Sequence, residues 1–311
     1  MPGCRICQAF LTLLFASLAS CRQDRAADAG GAMLVFVSIP PQAYFVERIA
    51  GPHAKVEVLV GPGQSHHTYE ATPRQIAGLH RARAYFRIGV PFEHGLLEKI
   101  GGSMSGLEII DSSEGVPLLD MKDECDEPGE RAEEHAHEGG KDPHIWLDPK
   151  RVKIQARTIA KTLARLDPSH SAEFARNLTA FELDLDATDA RIARRLAPLR
   201  GREFFVFHPA YGYFADAYGL RQVAVESGGK EPSLRGVHHL IRMARDRHAR
   251  IIFVQPQFPT AAARSVAAAI GGQVAPVDPL ATDYLRNLEF MADQIGDALM
   301  PAVAAHSEAH P

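Results

Sequence analysis

The chain has 311 residues, enough for two domains of ordinary size, and 46% apolar with 23% charged residues is the composition of a soluble protein with real cores. A formal charge of −4 leaves no general basic surface, which argues against nucleic acid as a partner.

The first element is an export signal over residues 1–20. A short, weakly basic start at Met1 to Arg5 precedes an apolar run from Ile6 to Leu18, broken only by Gln8 and Thr12 and too short to span a bilayer. It ends in Leu18-Ala19-Ser20-Cys21, which resembles a bacterial lipobox. In that reading Cys21 becomes the acylated first mature residue, and the chain is periplasmic or otherwise extracytoplasmic and lipid-anchored to the membrane. Residues 21–32 then form a tether, of small residues from Ala26 to Ala32. Cys4 and Cys7 leave with the signal, so Cys125 is the only other mature cysteine and no intrachain disulfide can form.

Residues 33–170 read as a first α/β lobe. Short apolar runs at Leu34–Val37, Val56–Val60, Ala84–Ile88 and Leu107–Ile110 alternate with helical stretches at Gln42–Ile49, Pro73–Arg81 and Phe92–Ile100. Thr72-Pro73-Arg74-Gln75 supplies a helix start, with a Thr N-cap, Pro at the first helical position and Gln at the third. Buried strands separated by helices predict a parallel sheet. The segment 120–142 breaks the rhythm: it holds ten acidic residues against three basic ones, with His135 and His137 and no aromatic residue, and reads as a mobile loop. A helix follows from Asp148-Pro149 to about Leu166.

Residues 171–197 form a linking helix. Phe174, Leu178, Phe181, Leu185, Ile192 and Leu196 recur three, four or seven apart and make one apolar stripe. At about 1.5 Å per residue the helix is about 40 Å long, wider than one small lobe, so it joins two. The second lobe, residues 198–311, resumes the α/β rhythm. Its strands are Phe204–Phe207, Val223–Val225, Ile251–Val254 and Val274–Pro276. Its helices are Tyr211–Tyr218, Leu234–Arg245, Thr260–Ile270 and Tyr284–Leu299. The expected architecture is α/β: two lobes, each a mainly parallel sheet flanked by helices, joined by one spanning helix.

The residues that carry chemistry stand in turns between elements, where open α/β sheets bind ligands. His67 follows the second strand, His144 precedes a helix, His208 ends the apolar strand Phe204–Phe207, and Asp278 follows the last strand. Three imidazoles and a carboxylate make a tetrahedral shell for zinc and also suit manganese if coordination expands. Their separations of 77, 64 and 70 residues match no local zinc motif.

The chain from Val35 to about Leu299 resembles the zinc/manganese receptor family among the solute-binding proteins of bacterial ABC importers. The matching runs are His67 to Pro73, Asp142 to Pro149, Phe207 to Tyr211, Gly229 to Ser233 and Asp278 to Leu280, in the family's order. The resemblance implies one divalent metal, with zinc the first expectation and manganese the alternative. His67 and His144 from the first lobe and His208 and Asp278 from the second would bind it in the cleft. It also implies delivery to an ABC-importer membrane permease, by a protein expected to be a monomer. His66 stands where the family more often has a non-ligand, and is read as a cleft-edge residue touching solvent, with metal contact the alternative. Trp146 is expected to pack beneath the site.

A secreted zinc hydrolase is the rival from another class. It would need an open coordination position and a nearby general base, whereas Asp278 is available as a fourth ligand and no His-Glu-x-x-His or Gly-x-Ser-x-Gly run occurs. Nothing encodes an adhesive surface. His53, His80, His94, His170, His238, His239 and His248 match no motif, and Glu226 and Glu231 are expected only to shape the second-lobe cleft.

Overall fold

A computed structural model describes residues 31–102, 104–121, 140–225, 234–258 and 260–300. The export signal, Cys21, His135 and His137, Cys125, Glu226, Glu231 and the run from Gly229 to Ser233 lie outside the described residues. No helix among the described residues is long and apolar enough to cross a membrane.

The first lobe runs β1 (Met33–Val37), α1 (Pro40–Ala50), β2 (Ala54–Val58), α2 (Pro73–Leu79), β3 (Ala84–Arg87), α3 (Phe92–Ile100) and β4 (Glu108–Asp111). Its sheet is parallel in the order β2-β1-β3-β4. A 3-10 turn at Ile145–Leu147 leads into α4 (Pro149–Leu166) and α5 (Ser171–Leu196). The second lobe runs β5 (Glu203–Val206), α6 (Gly212–Tyr218), β6 (Arg221–Ala224), α7 (Leu234–Asp246), β7 (Ile251–Val254), α8 (Ala261–Ala269), β8 (Gln273–Pro276) and α9 (Tyr284–Leu299). Its sheet, in the order β6-β5-β7-β8, repeats the first lobe's topology, again all parallel.

Most boundaries fall where the hydrophobic pattern put them, and the exceptions have local causes. The second strand is read at Val56–Val60 but runs Ala54–Val58. Leu59 and Val60 still donate to Val37 and Ser38, at 3.0 Å each, but β1 has turned into the Pro40-Pro41 start of α1 and returns no ladder bonds. Helix α2 opens on the expected capping box: Gln75 N–H donates to Thr72 Oγ1 (3.3 Å) and Thr72 N–H to Gln75 Oε1 (2.9 Å). It closes at Leu79 because the Arg81 N–H reaches back only to Gly78, tightening the last turn.

The spanning helix α5 is 26 residues long, extended at each end by a 3-10 turn, Pro168–His170 and Ala197–Leu199. Its predicted stripe is the buried one: Phe174, Phe181, Leu185, Ile192 and Leu196 are each at most 1% exposed. That stripe packs on α1, α4 and α9, so first-lobe residues such as Phe45 and second-lobe residues such as Tyr284 share one core, their rings 4.8 Å apart and edge to face. Strand β5 shows how the second lobe is layered. Phe204 and Val206 face this shared core, whereas Phe205 and the following Phe207 face a separate one with Val223, Leu240, Ile252 and Val266.

Candidate metal centre

The turn between β2 and α2 carries His66 and His67. His144 caps the 3-10 turn at Ile145–Leu147, and His208 lies two residues beyond β5. Parallel topology sends these connections to the same ends of the sheets, and the three segments meet between the lobes. One ring nitrogen from each of His66, His67, His144 and His208 lies within 4.8 Å of the others. The rings face each other in pairs: His66 Nε2 is 3.0 Å from His144 Nε2, and His67 Nε2 is 2.9 Å from His208 Nε2.

The structure brings together His67, His144 and His208 as the sequence leads one to expect. It corrects the reading of His66. That residue is not a solvent-facing cleft edge but 1% exposed, with its ring edge-on to Trp146 and its Nδ1 buried without a hydrogen-bond partner. The signal that could have found it is the unbroken His66-His67 pair in a turn otherwise rich in small residues. Asp278 stands outside the group of four. Its Oδ1 accepts from Gln257 Nε2 (2.6 Å) and from the Leu280 N–H (2.9 Å), which hold the carboxylate against its own turn.

A buried frame orients the rings. Asp142, 2% exposed, accepts from both the backbone N–H (2.9 Å) and the Nδ1–H (2.7 Å) of His144 through one oxygen, leaving the lone pair of His144 on Nε2. A carboxylate behind an imidazole is the usual means of fixing a metal ligand's tautomer. The sequence shows Asp142 only as part of a motif and gives it no role. Room for it comes from Gly212, where a Cβ would stand 2.6 Å from Asp142 Oδ2. On the far side Gln255 grips the His208 backbone twice, accepting from its N–H (3.3 Å) and donating to its carbonyl (2.9 Å). Phe258 stacks on the His208 ring at 4.5 Å. Trp146 lies beneath as expected, fully buried, its Nε1 donating to Pro279 O across the lobes (2.8 Å).

Burial, and after it the neighbouring imidazoles, holds His66 far below the ordinary histidine range and pushes His67 down to about 2. Both are therefore neutral at physiological pH, the state that binds a metal. Tetrahedral zinc with Zn–N bonds of about 2.0–2.1 Å sets its nitrogens about 3.3–3.4 Å apart. The facing pairs need to open by only a few tenths of an ångström to admit such an ion.

Comparison with known proteins gives the family. The profile of the family described as zinc-uptake complex component A, periplasmic (ZnuA), matches residues 35–298. The high-affinity zinc uptake system protein ZnuA of Yersinia pestis is 30% identical over 262 residues, 79% of this chain and 82% of that one. A crystal structure of ZnuA superposes with a TM-score of 0.79 at 40% identity, covering 86% of this chain and all of the other. A deletion mutant of ZnuA with zinc bound gives 0.78 at 41% identity, covering 87% and 99%. The chain belongs to the ZnuA family of periplasmic zinc-uptake components.

Proposed function

We propose that the protein captures one zinc ion between its lobes with His66, His67, His144 and His208 and hands it to the membrane permease of an ABC importer. The observation that carries the ligand set is the convergence of four ring nitrogens within 4.8 Å, already paired at 2.9 and 3.0 Å. Zinc is preferred to manganese because four nitrogen donors suit a borderline-soft ion, whereas manganese favours oxygen. His66 takes the place that the sequence reading gives to Asp278, whose carboxylate is held by Gln257 and Leu280.

The same shell favours transport over hydrolysis. Four protein ligands leave no position for an activated water, and the Asp142 carboxylate is spent on orienting His144. The chain would act as a monomer, held at the membrane by acylated Cys21. Competitive zinc titration of the His66→Ala and Asp278→Ala proteins tests the ligand set. The larger loss of affinity is expected in His66→Ala, and the reverse order would return Asp278 to the shell.

A further inference from the structure

A second group of metal-binding side chains lies at the opposite end of the first lobe. His53 sits in the turn between α1 and β2, and Asp167 and His170 sit in the turn between α4 and α5. One donor atom from each lies within 4.8 Å of the others. His53 precedes β2 and the cleft histidines follow it, so the five residues of that strand, about 16 Å at about 3.3 Å each, separate the two groups.

The local arrangement is that of paired imidazoles and carboxylates. The two imidazoles are stacked, with centroids 3.7 Å apart and planes tilted by 23°. Each is paired with its own carboxylate: His53 Nε2 lies 3.0 Å from Glu173 Oε2, and His170 Nδ1 lies 2.6 Å from Asp167 Oδ2. Two nitrogens and two carboxylates from four residues are the donor set of a borderline-soft divalent cation, and the carboxylates cancel its charge. The side chains are 22% to 40% exposed, so an ion can reach them and they can turn to meet it. The anchorage beneath is firm: Phe174 packs edge-on against His53, and Asn177 Nδ2 donates to Ile49 O at 3.0 Å.

We propose that His53, Asp167, His170 and Glu173 form a second, solvent-accessible site for a divalent transition-metal cation. It is weaker than the cleft and ties the α1–β2 turn to the start of the spanning helix. The proposal does not depend on which residues complete the cleft shell. Sequence offers no hint of it, because 117 residues separate His53 from His170.

The test is equilibrium dialysis of the full-length protein against zinc from sub-stoichiometric to large excess, comparing wild type with His53→Ala/His170→Ala. The wild type is expected to bind one tight equivalent and at least one weaker one. The double variant should lose one weak equivalent and keep the tight one. Histidine ring NMR signals titrated with zinc on a His208→Ala background supply a readout that does not rely on the double variant folding. His53 and His170 should shift together, and adding Asp167→Asn should abolish that shift. An unchanged number of weak equivalents in the double variant, no weak zinc at all, or His53 and His170 signals that ignore zinc would each overturn the site.

Discussion

The two histidine clusters use one side chain under opposite conditions. In the cleft three of the four imidazoles are at most 1% exposed, and the nearest carboxylate stands behind a ring, where it fixes a tautomer. At the base of the first lobe both imidazoles are partly exposed and touch carboxylates directly. Burial is what separates them. It holds His66 and His67 in the neutral form and the cleft rings preassembled, so little binding energy is lost in ordering them, whereas the basal side chains must be ordered when an ion arrives. A receptor that must seize a scarce ion needs the first arrangement. The second suits an ion that is abundant or only reinforces a turn.

The sharpest way to break this contrast is to remove a cleft ring. His67→Ala, His144→Ala and His208→Ala should each weaken zinc binding beyond the about 10–100-fold typical of changes behind a ligand, whereas His53→Ala should leave the tight equivalent within about twofold. Competitive titration against a chelator reads both. Next in size is Asp142→Asn, which keeps the volume but frees the His144 tautomer. It should cost about 10–100-fold in zinc affinity by the same assay with the fold intact by circular dichroism.

The pH dependence of the metal-free protein sharpens the comparison further. His66 and His67 have folded values depressed by burial below the unfolded value of about 6.5, so the unfolded chain binds more protons in the window between. Their contribution to stability is therefore complete above about pH 6.5 and is lost as pH falls below it. The melting temperature should drop between about pH 7 and 5, and His66→Ala should flatten that slope. The smallest expected effect is in shape. Helix α5 has neither Gly nor Pro between Ser171 and Leu196, the lobes share a core, and Trp146, Tyr211 and Tyr284 bond backbone carbonyls at 2.6 to 3.1 Å. Solution scattering with and without zinc should show lobe rotation of a few degrees rather than tens.

The architecture was legible because each layer has its own period. Short, largely apolar strands of four or five residues, the Thr72 capping box and the α5 stripe all read directly from spacing, and the errors are shifts of one or two residues at ends. His67, His144 and His208 were legible from their turns and the runs around them. His66 was not, since adjacent residues in a turn can point anywhere. It is tertiary packing, against Trp146 for His66 and against His208 and Phe258 for His67, that brings both rings to the cluster. Asp142 stands only two residues from the ring it orients, whereas the roles of Gln255 and Gly212 depend on contacts made between segments about 50 and 70 residues apart in sequence, which no local pattern encodes. The basal group was missed for the same reason.

The central claim, a shell of four imidazoles, is tested most directly by zinc-edge X-ray absorption on the protein loaded with one equivalent. Four imidazole nitrogens at about 2.0–2.1 Å are predicted, falling to three plus a light oxygen donor in His66→Ala and unchanged in Asp278→Ala. A wild-type shell of three imidazoles and a carboxylate, untouched by His66→Ala and broken by Asp278→Ala, would contradict it.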